Sequence, residues 1–121
     1  MEQNNYTPPT ITDSLTYDDV LLTPQDTSVT PDKVSTKTKL GTLELDIPIL
    51  SSAMDTVSEF DMGVAMAQSG GIAVIHRNMG DNHQADIIQK LKEQNYKTAT
   101  AIGSSETHVE KAQKLIDIGL D

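Results

Sequence analysis

The sequence predicts an α/β fold in which parallel strands alternate with helices. Two short apolar runs, Ile47–Ala53 and Ile72–His76, lack the alternation of polar and apolar residues seen in half-exposed strands. The absence of this alternation is typical of strands covered on both faces. The segment between the two runs has apolar residues at helical spacing and ends at Gly70 and Gly71. Two buried strands bridged by a helix form a right-handed βαβ unit, the building block of parallel sheets.

The residues before this unit are predicted to form an arm, a turn and a hairpin. Residues 1–14 are polar and carry a Pro-Pro pair, so we expect a flexible N-terminal arm. The acidic pair Asp18 and Asp19 has two interpretations, a metal or acid–base site and a turn whose carboxylates accept backbone N–H groups, and the turn is favoured. Residues 34–46 alternate and break at Gly41, which predicts a small hairpin with apolar residues on one side, namely Leu40, Leu43 and Leu45.

The helix of the βαβ unit is predicted to begin near Ser58, which stands three residues before Asp61 as in a loose capping box. The next helix is predicted over Asp81–Asn95, with Asp81 as N-cap and Gln84 three residues later. Its buried stripe is predicted to contain the apolar residues Ala85, Ile87, Ile88 and Leu91.

A third strand is predicted over Thr98–Ile102, followed by a last helix that begins at an N-cap, Ser105, and stops at Gly119. The apolar face of this last helix is predicted to contain Val109, Ala112 and Ile116. Two histidines, His83 and His108, lie in first turns of helices, where solvent-facing side chains are the favoured interpretation over metal ligation.

Composition excludes several classes of function. The 121-residue chain has a formal net charge of −9, whereas nucleic-acid-binding surfaces are basic. It has no cysteine, which excludes disulfides and thiolate metal sites. No apolar run approaches the roughly 20 residues that span a bilayer, and the N-terminal sequence lacks the pattern of a signal peptide. We therefore expect no nucleic-acid or membrane partner and a cytoplasmic location.

Three places at predicted strand ends have side chains suited to chemistry. Residues 51–55 combine hydroxyls with backbone N–H groups near a helix start, which suits an anionic or polyhydroxy ligand; the alternatives are that the serines are small for packing and that Asp55 caps the helix. The polar cluster 76–78 follows a buried strand, where unpaired burial would be costly. His76 is of the residue type that exchanges protons near neutrality, but the sequence indicates no group to orient it. Gly103 and Ser104 allow close ligand approach or form a simple turn.

The segment SSAMDTVSEFDMGVAMAQSGGIAVIHRNM resembles the start of the catalytic barrel of inosine monophosphate (IMP) dehydrogenase and its relative guanosine monophosphate (GMP) reductase. LTYDDVLLTP, from Leu15 to Pro24, resembles the lead-in segment of this family, and TATAIG, from Thr98 to Gly103, resembles its third barrel strand. The resemblance implies that residues 15–121 are the first three βα units of a TIM (β/α)₈ barrel, preceded by the arm and hairpin. A complete barrel needs about 250 residues, so the barrel would be incomplete.

The resemblance also implies ligands and site residues. It implies a purine nucleotide substrate, NAD as cofactor, a potassium ion bound outside this chain, and a homotetramer for the full-length protein. Ser52 and Met54 match residues that line the substrate pocket, with Met54 beside the base. His76, Arg77 and Asn78 match residues nearer the dinucleotide side of the same pocket. For Asp55 the helix cap remains the favoured role, and for Ser52 the ligand contact.

The family acts through a cysteine that attacks C2 of the purine, and this chain has no cysteine. No catalytic residue and no metal ligand is therefore predicted here, and we expect the chain alone to be inactive. The encoded function favoured by the resemblance is oxidation of IMP to xanthosine monophosphate (XMP) with NAD. In many dehydrogenases of this family a pair of regulatory nucleotide-binding modules is inserted before the third strand. Here only residues 95–97 stand at that connection, so the chain resembles dehydrogenases that lack this regulatory insert. Two alternatives stay open: a GMP reductase, to which the absent insert points, and a non-catalytic remnant or partner-binding fragment.

Overall fold

The computed structural model of the chain describes residues 12–121, which belong to two compact units; along the chain the first ends at Val34 and the second begins at Ser35. The predicted arm, residues 1–14, lies for the most part outside the described residues. Within residues 12–121 the longest helix has 13 residues, and none is long and apolar enough to cross a membrane.

The described part of the first unit is built on two 3₁₀ turns, Tyr17–Asp19 and Pro31–Lys33. The Asp19 carboxylate accepts the backbone N–H of Thr16 at 2.8 Å and the Thr16 hydroxyl at 2.9 Å. These two hydrogen bonds, the backbone one foremost, lower the pKa of Asp19. The interpretation of the acidic pair as a turn is thus confirmed for Asp19.

The second unit begins with the predicted hairpin. Strand β1, Thr38–Leu40, pairs antiparallel with β2, Leu43–Leu45, and Leu40 lies opposite Leu43. Gly41 takes a positive φ of 60° in the two-residue turn, which a side chain would oppose. On this face Leu45, two residues from Leu43, is 3% exposed, whereas Leu40 is 43% exposed, so only the end of the hairpin at Leu45 packs inward.

Three short parallel strands follow, each succeeded by a helix. Strands β3, Leu50–Ser51, β4, Ile72–Ile75, and β5, Ala99–Thr100, pair in that spatial order, with β4 in the middle. The predicted parallel pairing of neighbours is confirmed. It follows from the helix in each connection, because a chain that crosses over through a helix returns parallel to the strand it left.

The strands are shorter than the sequence predicts. In the predicted strand Ile47–Ala53 only two residues pair, because Pro48 has no N–H to donate and the Ile49 N–H turns back to the Ile47 carbonyl at 2.9 Å. The predicted strand Thr98–Ile102 keeps one bond beyond β5, from the Ala101 N–H to the Ile75 carbonyl at 2.9 Å.

The helices are α1, Phe60–Gln68, α2, Asp81–Glu93, and α3, Glu106–Asp117. Their predicted glycine stops are confirmed, since Gly70 has φ 85° and Gly119 has φ 100°. Two predicted starts are wrong by one residue, in opposite directions. The N-cap of α1 is Glu59 rather than Ser58, and the N-cap of α2 is Gly80 rather than Asp81.

The core forms where α1 and α2 pack on β4. Its buried residues are Ala73, Ile75, Ile87 and Leu91, with partly buried residues of α1 around them. Helix α1 approaches α2 closely, because a Cβ on Gly63 would lie 2.7 Å from Leu91 Cδ1. In the predicted stripe of α2, Ile87, Ile88 and Leu91 are buried and Ala85 is half-buried.

The predicted apolar face of α3 is wrong for Val109 and Ile116, while its third member, Ala112, is half-buried. Val109 is 70% and Ile116 is 54% exposed, whereas Leu115 is 2% exposed. The packed side of α3 instead carries Leu115 and, one turn earlier, Lys111, whose ammonium is 2.6 Å from the Asp81 carboxylate of α2. The position of α2 thus determines which side of α3 is covered, and helical periodicity alone does not predict where α2 lies.

Candidate functional site

The carboxyl ends of β3, β4 and β5 share one edge of the sheet, because the strands run parallel. This edge collects the predicted site residues. Ser52 and Met54 follow β3 and are exposed, and so are Arg77 and Asn78 after β4. His76 lies between them but is only 2% exposed. Four of the five predicted side chains are therefore accessible to a ligand, while the fifth is enclosed.

The loop after β3 is held from beneath by Ser58, a fully buried residue. Its hydroxyl lies 2.9 Å from the Ser51 hydroxyl and donates to the Ser52 carbonyl. The Ser58 N–H donates to the Met54 carbonyl at 2.9 Å, and the Met54 N–H donates to the Ser52 carbonyl at 2.8 Å. The backbone of the two predicted substrate residues is thus fixed while their side chains face outward. This internal bonding explains why the Ser58 hydroxyl does not cap α1.

A strained residue stands in the same loop. Thr56 has a positive φ of 59°, which is rare for a β-branched side chain and costs on the order of 1–3 kcal/mol. Two backbone hydrogen bonds span it, from the N–H groups of Val57 and Ser58 to the Met54 carbonyl at 3.3 and 2.9 Å. Asp55, predicted to cap the helix, is exposed and is not the N-cap residue of α1.

The His76 ring is paired on both nitrogens. Nδ1 accepts the backbone N–H of Asn78 at 3.1 Å, and Nε2 lies 3.0 Å from a carboxylate oxygen of Glu59. The expectation that polar residues after this strand avoid burial is wrong for His76, because its pairing removes the cost of burial. Glu59, at the start of α1, is the orienting group that the sequence did not indicate.

Gln84 joins the ends of β4 and β5. Its side chain is fully buried, and its amide nitrogen donates to the His76 carbonyl at 3.0 Å and the Ala101 carbonyl at 3.1 Å. The Thr100 hydroxyl, which donates to the Ile75 carbonyl at 3.0 Å, also lies within hydrogen-bond distance of this nitrogen and shares one of its two N–H groups. Because the partners are acceptors, the orientation of the Gln84 amide is determined. Its Oε1 is buried without a partner within residues 12–121.

The third predicted place, after β5, is a strand-to-helix turn whose close neighbour belongs to the chain itself. A Cβ on Gly103 would lie 2.5 Å from Cε1 of His108. His108 is therefore half-buried over this glycine, with its Nδ1 against the Ser105 hydroxyl, rather than solvent-facing as predicted. Ser105 is the N-cap residue of α3 as predicted, although its hydroxyl makes no capping bond. His83 is exposed, as expected.

Sequence reasoning missed three residues that organise this edge: Ser58, Glu59 and Gln84. A signal existed for Gln84, because it stands at helical spacing with Ile87, Ile88 and Leu91, as a polar residue within the buried stripe. No comparable signal existed for Glu59. Within residues 12–121 no group of three or more His, Asp or Glu side chains is placed to hold a metal ion.

Comparisons with known proteins identify the family of the chain. A family model described as the IMP dehydrogenase / GMP reductase domain matches residues 14–121. Inosine-5'-monophosphate dehydrogenase of Staphylococcus epidermidis is 51% identical over 81 residues, and proteins of the same name from Halalkalibacterium halodurans and Staphylococcus aureus are 49% and 48% identical over equal lengths. Each alignment covers 66% of this chain and 17% of the relative. The chain thus corresponds to a small part of the length of these relatives.

Proposed function

Because the chain belongs to the IMP dehydrogenase / GMP reductase domain family, we propose that it supplies the start of the catalytic domain of an IMP dehydrogenase. The reaction of that enzyme oxidises IMP to XMP, with NAD accepting the hydride. The observation that carries the proposal is the shared edge of the parallel sheet, where exposed side chains of two neighbouring strands stand on a hydrogen-bonded base. Relatives named inosine-5'-monophosphate dehydrogenase at about half identity support the dehydrogenase over other chemistry.

The architecture fits the first three βα units of a (β/α)₈ barrel. Three parallel strands in sequence order, each followed by a helix, are the repeating element of that fold, and barrel enzymes place their sites at the carboxyl ends of the strands. In this proposal residues 1–14 are an arm and residues 15–121 begin the catalytic domain, with the β1–β2 hairpin below the barrel. A tetramer of the full-length protein and a cytoplasmic location stay predictions.

The substrate side of the proposed site is the loop after β3. The Ser52 hydroxyl can donate to or accept from a nucleotide, and the exposed Met54 offers a flexible apolar surface for a purine base. Their backbones are held by Ser58, so neither must be ordered when the nucleotide binds. Preordering of this kind lowers the entropic cost of binding.

The cofactor side is the segment after β4. Arg77 is exposed, and its guanidinium suits the pyrophosphate of a dinucleotide through paired N–H groups; the exposed Asn78 amide offers both a donor and an acceptor. These two residues fit NAD, which when bound supplies the hydride acceptor. His76 contributes to this side through the Asn78 backbone, because its ring is enclosed.

The chain itself supplies no thiolate nucleophile. It contains no cysteine, and the family resemblance implies a cysteine as the group that attacks the purine. The role of this chain is therefore to bind and place nucleotide and cofactor, and we expect no turnover by the 121 residues alone. Any potassium ion would be held by residues outside this chain.

A second candidate, GMP reductase, is favoured by one observation. Only residues 94–98 connect α2 with β5, so the chain carries no regulatory insert at this connection. The two functions differ in substrate and cofactor, IMP with NAD for the dehydrogenase and GMP with NADPH for the reductase. One assay can therefore decide between them.

The test uses the full-length polypeptide that carries this chain, purified and given each substrate pair. We expect NADH formation from IMP and NAD, and a KM for IMP raised about two- to tenfold in Ser52→Ala, the loss of one hydrogen bond. Ser69→Ala is the matched control, because the Ser69 hydroxyl caps the end of α1 by bonding the Ala65 carbonyl. If the only activity is NADPH consumption in the presence of GMP, the protein is a reductase and the dehydrogenase proposal is replaced. Inactivity with both substrate pairs would refute the dehydrogenase proposal.

A further inference from the structure

We propose that His76 is a positioning residue whose ring and backbone tie the Arg77–Asn78 segment to the loop after β3, so that substrate and cofactor side chains keep one relative placement. The inference rests on the proposed function for the identity of the ligands. It differs from a direct ligand role, because the ring is 2% exposed between the two exposed segments.

The four polar groups of His76 bond three parts of the fold: the start of α1 twice, the segment after β4 and helix α2. Its N–H donates to the Ser58 carbonyl at 3.3 Å and its carbonyl accepts from the Gln84 amide at 3.0 Å. The ring joins the Asn78 N–H on one side and the Glu59 carboxylate on the other. One residue therefore connects α1, the end of β4 and α2, and through Gln84 the end of β5.

The bonds assign the tautomer of the ring. An N–H donor points at Nδ1, so Nδ1 carries no proton, and the ring proton is on Nε2, from which it is donated to Glu59. A ring in this state is an acceptor for the Arg77–Asn78 backbone and a donor to α1 at once. Loss of either function frees one of the two exposed segments from the other.

Glu59 fixes the ring and is itself placed by its position before α1. Its side chain is 45% exposed while that of His76 is 3% exposed, so the carboxylate reaches inward from solvent. Ser58, the preceding residue, holds the Ser52 carbonyl. The residue pair 58–59 therefore bonds the substrate loop with one member and the His76 ring with the other.

Two substitutions separate the functions of the ring. In His76→Asn the amide oxygen takes a position near that of Nδ1 and keeps an acceptor for Asn78, whereas in His76→Gln the longer amide reaches Glu59 and that acceptor is lost. In the full-length polypeptide we expect the Asn78 amide to exchange its hydrogen about three- to tenfold faster in His76→Gln than in His76→Asn, measured by NMR or mass spectrometry. Equal exchange in both variants would overturn the proposal.

The tautomer is measured on the unsubstituted protein. A long-range ¹H–¹⁵N spectrum should show a protonated Nε2 and an unprotonated Nδ1 for His76. The opposite tautomer would overturn the assignment whatever the enzyme does. This readout needs no substrate, so it stands apart from the proposed function.

Kinetics separate positioning from a merely structural role. We expect His76→Gln to raise KM for NAD about three- to tenfold with kcat changed less than twofold. In Glu59→Gln the amide oxygen still accepts from Nε2, so we expect KM for NAD to stay unchanged, whereas Glu59→Ala should raise it. Unchanged KM with only a lower melting temperature would overturn the positioning role. An inactive protein that shows the expected tautomer and hydrogen exchange would instead refute the proposed function, while the positioning of the Arg77–Asn78 segment by His76 would stand.

Discussion

Replacing Gln84 by leucine is expected to destabilise the protein by about 1–5 kcal/mol. Leucine is similar in size and apolar, so the change removes hydrogen bonds without leaving a large cavity. The Gln84 amide nitrogen serves two carbonyl oxygens, those of His76 at 3.0 Å and Ala101 at 3.1 Å. Each acceptor left unpaired in a buried site costs about 1–3 kcal/mol.

One term acts in the opposite direction. Gln84 Oε1 is buried with no partner within residues 12–121, so its removal recovers part of an existing cost, about 1 kcal/mol. The free energy lost with the two hydrogen bonds therefore exceeds the free energy recovered by removing Oε1. The Thr100 hydroxyl loses a donor as well, but it still donates to the Ile75 carbonyl, so the pairing of β4 with β5 is retained.

The assay is urea denaturation of the full-length polypeptide followed by circular dichroism, with Gln89→Leu as the matched control. Gln89 lies on the same helix, and its amide bonds only the exposed Glu93 at 3.2 Å, so we expect a change within about 0.5 kcal/mol. Equal transition midpoints for the two variants would show that the buried amide contributes no net stability and would refute this reasoning.

Three further predictions concern turnover, titration and packing. The purified 121-residue chain should form no NADH from IMP and NAD above a blank, because it has no cysteine; sustained formation would contradict the family mechanism. The hydrogen bond and then the charge of Lys111 hold the pKa of Asp81 below its ordinary 3.8, so their stabilisation is present above that value and fades as pH falls through the folded pKa. Lys111→Met should raise this pKa toward 3.8 in an NMR titration, and an unchanged midpoint would disprove the pairing. Gly63→Ala should destabilise the protein by about 1–3 kcal/mol, because the added Cβ meets Leu91 Cδ1. In a Leu91→Val background that clash is removed, and the higher helix propensity of alanine should make the same substitution neutral or stabilising. A double-mutant cycle without coupling would exclude that contact.

Local patterns were sufficient for the elements whose cause is local. The turn at Gly41 and the helix stops at Gly70 and Gly119 were predicted correctly, because a positive φ is a property of one residue and its immediate neighbours. The parallel order of β3, β4 and β5 was also predicted, since a helical crossover leaves few other arrangements. The resemblance to the family was likewise available from the sequence and is confirmed by the match over residues 14–121.

Local patterns failed where a neighbour in space decided the outcome. Pro48 and the turn at Ile49 shortened β3, although the apolar run was longer. The covered side of α3 contains Leu115 rather than Val109 and Ile116, whose helical spacing predicted the apolar face, because α2 approaches α3 at Leu115. Ser105 marks the start of α3 as predicted, but its hydroxyl is turned to His108 instead of the helix backbone.

The sequence by itself determined which exposed side chains follow β3 and β4 at the shared edge of the sheet, because the carboxyl ends of parallel strands meet there: Ser52, Met54, Arg77 and Asn78. Only the tertiary structure decided what holds them. The bonds from Glu59 to His76, 17 residues apart, and from Gln84 to Ala101, also 17 apart, exist because a crossover returns the chain to the same edge. A hydrogen bond is directional and short, so its partner is fixed by the folded path rather than by the spacing of residues along the chain.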